Sequence, residues 1–269
     1  MRNAVTIAST LLLLFVVQAA SNSLQAASIE APQLAQVKPA TFRYWAAGEF
    51  TRAGKPVDAP QVEVRIRRLF SIMVHQVTVG EYRRCVADNA CAPLADDSAK
   101  DNLPAVMVSW RDAQSYAAWL SRKLGAHYRL PTDEEWTYAA GSRAPDESPL
   151  GVGDAISRWV ARYNRESKLQ PSDPTPQPIG SFGANENGLL DIAGNVWEWT
   201  DTCFTRSVIE DGKPRAVTTN CGVRIAEGRH RAYISDFIRD ARGGGCAVGL
   251  PPSNLGFRLV RDSKPYWWF

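Results

Sequence analysis

The chain carries only three histidines in 269 residues, and none stands at ligand spacing from another or from a cysteine. A Cys/His zinc array is therefore excluded. No block of Lys or Arg occurs: 31 basic and 28 acidic residues are interspersed, for a net charge of +3. That removes the electrostatic footprint expected of a nucleic-acid-binding protein. Internal repeats are absent, which excludes a solenoid or propeller. The longest apolar run, Ile7 to Val17, is too short for a membrane span of about 20 residues.

What is present begins with that run. It follows Arg2 and leads into the small residues Ala19, Ala20, Ala26 and Ala27, the layout of a secretory signal peptide. Residues 1–27 are thus expected to be a signal, and the mature protein to be secreted or periplasmic, with no transmembrane span after cleavage. Export would place the five cysteines in an oxidising compartment. Cys85 and Cys91, close together in CVADNAC, read as a local disulfide. Cys203, Cys221 and Cys246 leave one pair and one thiol over, with three pairings open.

Residues 28–40, rich in Ala, Pro and Gln, read as a linker. In VEVRIRR, Val62, Val64 and Ile66 alternate with Glu63, Arg65 and Arg67, the pattern of a half-buried strand. Asp58-Ala-Pro60 supplies a turn to an earlier strand, so the domain opens on an antiparallel pair. Three helix starts follow: Thr78 with Glu81, Ser109 or Asp112, and Thr132 with Glu135. The helices they open end near Ala87, Gly125 and Gly141. Residues 141–180, rich in Pro, Gly, Asp and Ser, are expected to form a functional or ion-stiffened loop region. Within them Trp159 and Tyr163 share a helical face and read as core. A polar connection follows WEWTDTCF, and Gly243 to Gly245 are expected in a crowded strand. Arg229, His230 and Arg231 read either as a cationic patch for an acidic ligand or as a solvated loop. The architecture is one α+β domain over residues 41–262, with an aromatic tail at 263–269 that docks on the body or meets a partner.

In order along the chain, VTVGEY, VMVSWRDAQSYAAWL, YRLPTDEEWTYAA, IGSFGANENGLLDIAGNVWEWTD, RGGG and NLGFRLVR resemble the formylglycine-generating enzyme family, the sulfatase-modifying factors. The resemblance implies a C-type-lectin-like α+β fold, with a small twisted antiparallel sheet, few helices and long calcium-stiffened loops. It implies a structural calcium ion held by the side chains of Asp191 and Glu198 and the carbonyls of Gly194 and Val196. Hard cations take six to eight oxygens of these kinds. The residues by themselves also fit a simpler arrangement, with Asp191 capping a turn and Glu198 paired with an arginine.

The resemblance further implies a Cu(I) ion held by two cysteines near the C-terminus, a soft ion on soft ligands. Between Arg242-Gly-Gly-Gly245 and Asn254-Leu-Gly-Phe-Arg258 this chain has one cysteine, Cys246, the candidate catalytic thiol. A dithiolate site would need Cys203 or Cys221 unpaired, so copper is disfavoured and a disulfide from Cys246 to Cys203 or Cys221 is expected. The functional expectation is an exported maturation factor acting on a peptide or protein substrate. It would oxidise outside the two-cysteine copper mechanism, or serve as a non-catalytic binding or accessory module on a lectin-like scaffold.

Overall fold

The computed structural model describes residues 29–96, 98–149, 154–243 and 250–265. The expected signal peptide, Cys246 with Gly244 and Gly245, and Tyr266 to Phe269 lie outside the described residues. In chain order the elements are β1 (Leu34–Val37), β2 (Ala40–Trp45), β3 (Glu49–Arg52), β4 (Lys55–Val57), β5 (Gln61–Ile66), β6 (Phe70–Met73), α1 (Val79–Ala87), α2 (Trp110–Leu124), β7 (Ala126–Arg129), α3 (Asp133–Ala140), α4 (Ala155–Leu169), β8 (Trp197–Glu210), β9 (Lys213–Glu227), β10 (Ala232–Ser235), β11 (Leu255–Gly256) and β12 (Val260–Pro265). This is the expected α+β class.

The first three helices start where side chains can satisfy the free N–H groups of a first turn. Thr78 with Glu81, Ser109 with Asp112 and Thr132 with Glu135 each form a reciprocal capping box. Of the two caps open for α2, Ser109 is the one used. Gly125, at φ 63°, ends α2 in the left-handed conformation that glycine adopts without strain.

The strands form a four-stranded sheet in the order β1-β6-β12-β7, a larger sheet β10-β9-β8-β3-β4 with β11 beside β8, and a β2-β5 pair. The first and last are antiparallel, whereas β3 and β11 run parallel to β8. Two parts of the sequence reading change. Leu34–Val37 is a strand paired with β6 in the register Leu34↔Met73 to Val37↔Phe70, not linker. Val37 is buried in the core beside Phe70, Ile72, Trp136 and Val260. The polar connection after Phe204 is instead the long β8–β9 hairpin, turned by Asp211 and Gly212 at φ 49° and 74°.

The core beneath these sheets is aromatic. Tyr82 of α1 stacks on Tyr116 of α2 at 5.8 Å, and Phe257 meets both edge-on. One crowded glycine is Gly228, where an added Cβ would lie 2.6 Å from the Trp197 ring. Gly243, read from the sequence as crowded, has nothing nearer than 3.9 Å.

Candidate functional site

Asp191 and Glu198 lie close together, and the fold spends their oxygens on protein donors. Asp191 accepts the main-chain N–H groups of Gly180 at 2.5 Å and Phe182 at 2.7 Å. Glu198 Oε2 accepts from Trp136 Nε1 at 2.8 Å and Arg258 Nε at 2.6 Å. Its Oε1 accepts from Gln76 Nε2 and Arg258 Nη2, both at 2.8 Å. Gln76 also donates to the main-chain oxygen of Asp191 and so ties the two ends of the segment. Between them Asp191, Ala193 and Asn195 all take positive φ near 55–58°, a tight bend around Gly194 that leads into buried Val196.

A calcium ion at this segment would compete with protein donors for Glu198. It would have to displace a donor from Glu198, whose four acceptor positions are filled, whereas each Asp191 oxygen accepts a single N–H and Gln76 Oε1 is a free acceptor. In the structure Asp191 caps a turn and Glu198 pairs with Arg258. The signal for this was the arginine of NLGFR, about 60 residues downstream.

Two disulfides are formed, Cys85–Cys91 and Cys203–Cys221. The first was expected. The second overturns the expected bond from Cys246 to either of its partners, because β8 and β9 bring Cys203 and Cys221 together across the hairpin, with Cα atoms 4.5 Å apart.

A further concavity lies elsewhere, a cleft of about 420 Å³ between α4, the β3–β4 hairpin and β10. Phe50, Val57 and Trp159 give it apolar walls, and Arg158, Arg162, Arg165 and Tyr233 give it polar ones. The sequence reading missed this site, although DAISRWVARYNRESKL carried its signal: arginines at 158, 162 and 165 recur at helical spacing. Asp154 caps the helix by accepting from Ser157 N. The inward face is the cationic one. Arg158 donates to Pro56 O, Arg165 to Ser148 O, and Arg162 lies over the Tyr233 ring while paired with Glu166. Outward, at i, i+3, i+4 and i+7, stand Ile156, Trp159, Val160 and Tyr163, of which Ile156 is 74% and Trp159 59% exposed. The expectation that Trp159 and Tyr163 are core is therefore corrected. The two rings stack on each other at 5.6 Å.

Nor is the Arg229–Arg231 stretch a solvated loop, since His230 and Arg231 are buried. Burial holds the His230 imidazole below its usual value, favouring the neutral ring. Arg231 lines the cleft and also meets two fully buried carboxylates, Glu227 at 2.6 Å and Asp133 at 3.4 Å. Burial, with Asp133 adding to it against the pull of Arg231, pushes the Glu227 carboxyl well above its usual range. Both Asp133 oxygens and Glu227 Oε2 lack a hydrogen-bond donor among the described residues, and a neutral Glu227 carboxyl, the form its burial favours, has a proton to donate to Asp133.

Residues 24–263 match the sulfatase-modifying factor enzyme 1-like domain. The formylglycine-generating enzyme of Streptomyces coelicolor is 30% identical over 185 residues, 63% of this chain and 56% of that protein. The inactive C-alpha-formylglycine-generating enzyme 2 of Mus musculus is 37% identical over 172 residues, 61% of this chain and 51% of its own length. The chain spans about half the length of these relatives. Among solved structures, PvdO from Pseudomonas aeruginosa superposes with a TM-score of 0.57 at 23% identity, over 86% of this chain and 94% of that one. The fold is thus an α+β scaffold of the formylglycine-generating-enzyme type. The chain belongs to the sulfatase-modifying factor family.

Proposed function

We propose that this protein is an exported member of the family that recognises a peptide or protein during the maturation of another protein, without two-cysteine copper chemistry. The observation that carries this is the cysteine pairing. Four of the five cysteines are consumed by the Cys85–Cys91 and Cys203–Cys221 bonds, so one chain cannot supply two thiolates. A Cu(I) site of that kind therefore does not fit the residues present. Two disulfides also support an oxidising compartment and hence export. The α4 cleft, with its apolar walls, arginines and aromatic rim, supplies a surface for recognition.

Thiol titration of the denatured mature protein tests the pairing directly. One thiol is expected before reduction and five after it, given two disulfides among five cysteines. Incubation with Cu(I), oxygen and a cysteine-bearing peptide should yield no peptide aldehyde. Three thiols before reduction, together with aldehyde formation, would sink the proposal and restore the oxidase reading.

A further inference from the structure

Arg162 and Arg165, on the inner face of α4, hold more N–H donors than the described residues accept. Arg162 donates from Nε to Glu166 Oε1 at 2.6 Å, and among the described residues no acceptor meets its Nη groups. Arg165 makes one bond, from Nη1 to Ser148 O, and no carboxylate of the described residues lies within ion-pair range of it. The acids lining the cleft have partners, two of them cleft arginines, and Glu147 also bears electrostatically on Arg162. Glu49 pairs with Arg206 at 2.8 Å, Asp58 stands 3.8 Å from Arg158, and Glu147 accepts the main-chain N–H of Arg231 at 3.0 Å. Guanidinium forks with open donors beside a partly apolar cavity match a carboxylate in charge and geometry.

The outer face supplies the other half. A surface helix normally turns its apolar stripe inward, and α4 does the reverse, leaving Ile156, Trp159, Val160 and Tyr163 in water. Trp, Tyr and Arg are the side chains on which interface energy concentrates. One occupant accounts for both faces at once. We infer that the cleft binds an acidic peptide segment, whose carboxylate takes Arg162 and Arg165 while its neighbouring apolar side chains lie over Trp159 and Tyr163. This rests on the reading of the protein as a peptide-recognising factor and narrows that reading to acidic sequences. A lipid surface fits less well, because Arg158, Arg162 and Arg165 face the body and leave the outer stripe little charge to offer anionic headgroups.

The test is selection from a random library of short N-acetylated peptides, made in parallel with amidated and with free C-termini. The retained pool should favour Asp or Glu over Asn or Gln by about tenfold at one position, the ratio expected for 1.4 kcal/mol from a charge-assisted fork. Preference in the amidated library assigns the site to an acidic side chain. Preference confined to the free-acid library assigns it to a terminal carboxylate. Arg165→Gln, which leaves the Arg162–Glu166 pair intact, should remove the preference at an unchanged melting temperature. Trp159→Ala should lower total binding and keep the preference. A retained pool with no preference for acids overturns the inference and leaves peptide recognition standing. If no peptide is retained, both fall. If Trp159→Ala instead dissociates a dimer that binds no peptide, the face belongs to a second copy of the chain and the inference is overturned.

Discussion

Arg258 and Glu198 are fully buried and joined by two charge-assisted hydrogen bonds, with Trp136 and Gln76 filling the remaining acceptor positions of the carboxylate. Arg258 also donates to the main-chain oxygens of Met73, Val74 and Leu190, so the pair pins the chain on either side of it. Removing one partner strands the other charge without water, at a cost of about 3–5 kcal/mol. Glu198→Gln and Arg258→Met should each lower the melting temperature sharply, and Glu198→Leu with Arg258→Met should recover part of the loss. Because the pair fills the acceptor positions of Glu198, a chelator should leave wild-type melting unchanged. A chelator-dependent drop would show an ion at the Asp191–Glu198 segment and refute this assignment. The buried acids near the cleft make a separate prediction. Glu227 faces Asp133 of α3, Arg231, Tyr44 of β2 and Glu147, and its carboxyl is raised above the usual 4.5. An acid whose value is raised by folding stabilises the fold below about 4.5, and that contribution fades as pH climbs toward the folded value. The slope is up to about 1.4 kcal/mol per pH unit. Wild-type stability should therefore fall between pH 5 and pH 8 relative to Glu227→Gln, whose neutral amide has no proton to lose. Parallel unfolding curves for the two chains would mean that Glu227 is ionised in the fold.

Whether an element could be read from the sequence depended on where its deciding partners lie. The starts of α1, α2 and α3 were legible because a capping box closes within three residues and needs nothing from the rest of the chain. The helix α4 hid in a Pro- and Gly-rich stretch, and its apolar periodicity, once noticed, pointed to the wrong side. Pattern reading assumes that the apolar stripe turns inward, whereas here the arginines do. The β8–β9 hairpin gave no alternation to follow, since Ala216 to Gly222 of β9 are exposed one after another. Its legible mark was the Asp211-Gly212 turn. The cleft needed more than any one element could show. Its arginines come from α4, its apolar wall from β3 and β4, and Arg231 and Tyr233 arrive from a stretch more than sixty residues further on. For the same reason the sequence favoured a bond from Cys246, and only the hairpin, which brings the Cα atoms of Cys203 and Cys221 to 4.5 Å, shows the pairing.

At the scale of the whole molecule, the question is where the folding unit begins. The family match starts at residue 24, and β1 closes the edge of the four-stranded sheet ahead of β2. Through four register pairs β1 covers β6, whose Phe70, Ser71, Ile72 and Met73 are all buried. Without it, β6 becomes an open edge carrying unpaired N–H and C=O groups over an apolar core. The loss includes the burial of Val37, about 1.5–3 kcal/mol for a side chain of that size, and the β1 ladder. In a domain of this length each kcal/mol moves the melting temperature by about 2–4 °C. A chain starting at Lys38, which keeps β2 whole, should therefore melt on the order of 5–10 °C below one starting at Ile29. It should also aggregate more readily on heating, through the uncovered edge. Thermal unfolding of the two chains at matched concentration decides the point. Equal midpoints would make Leu34–Val37 a dispensable appendage, and the domain would then begin at β2.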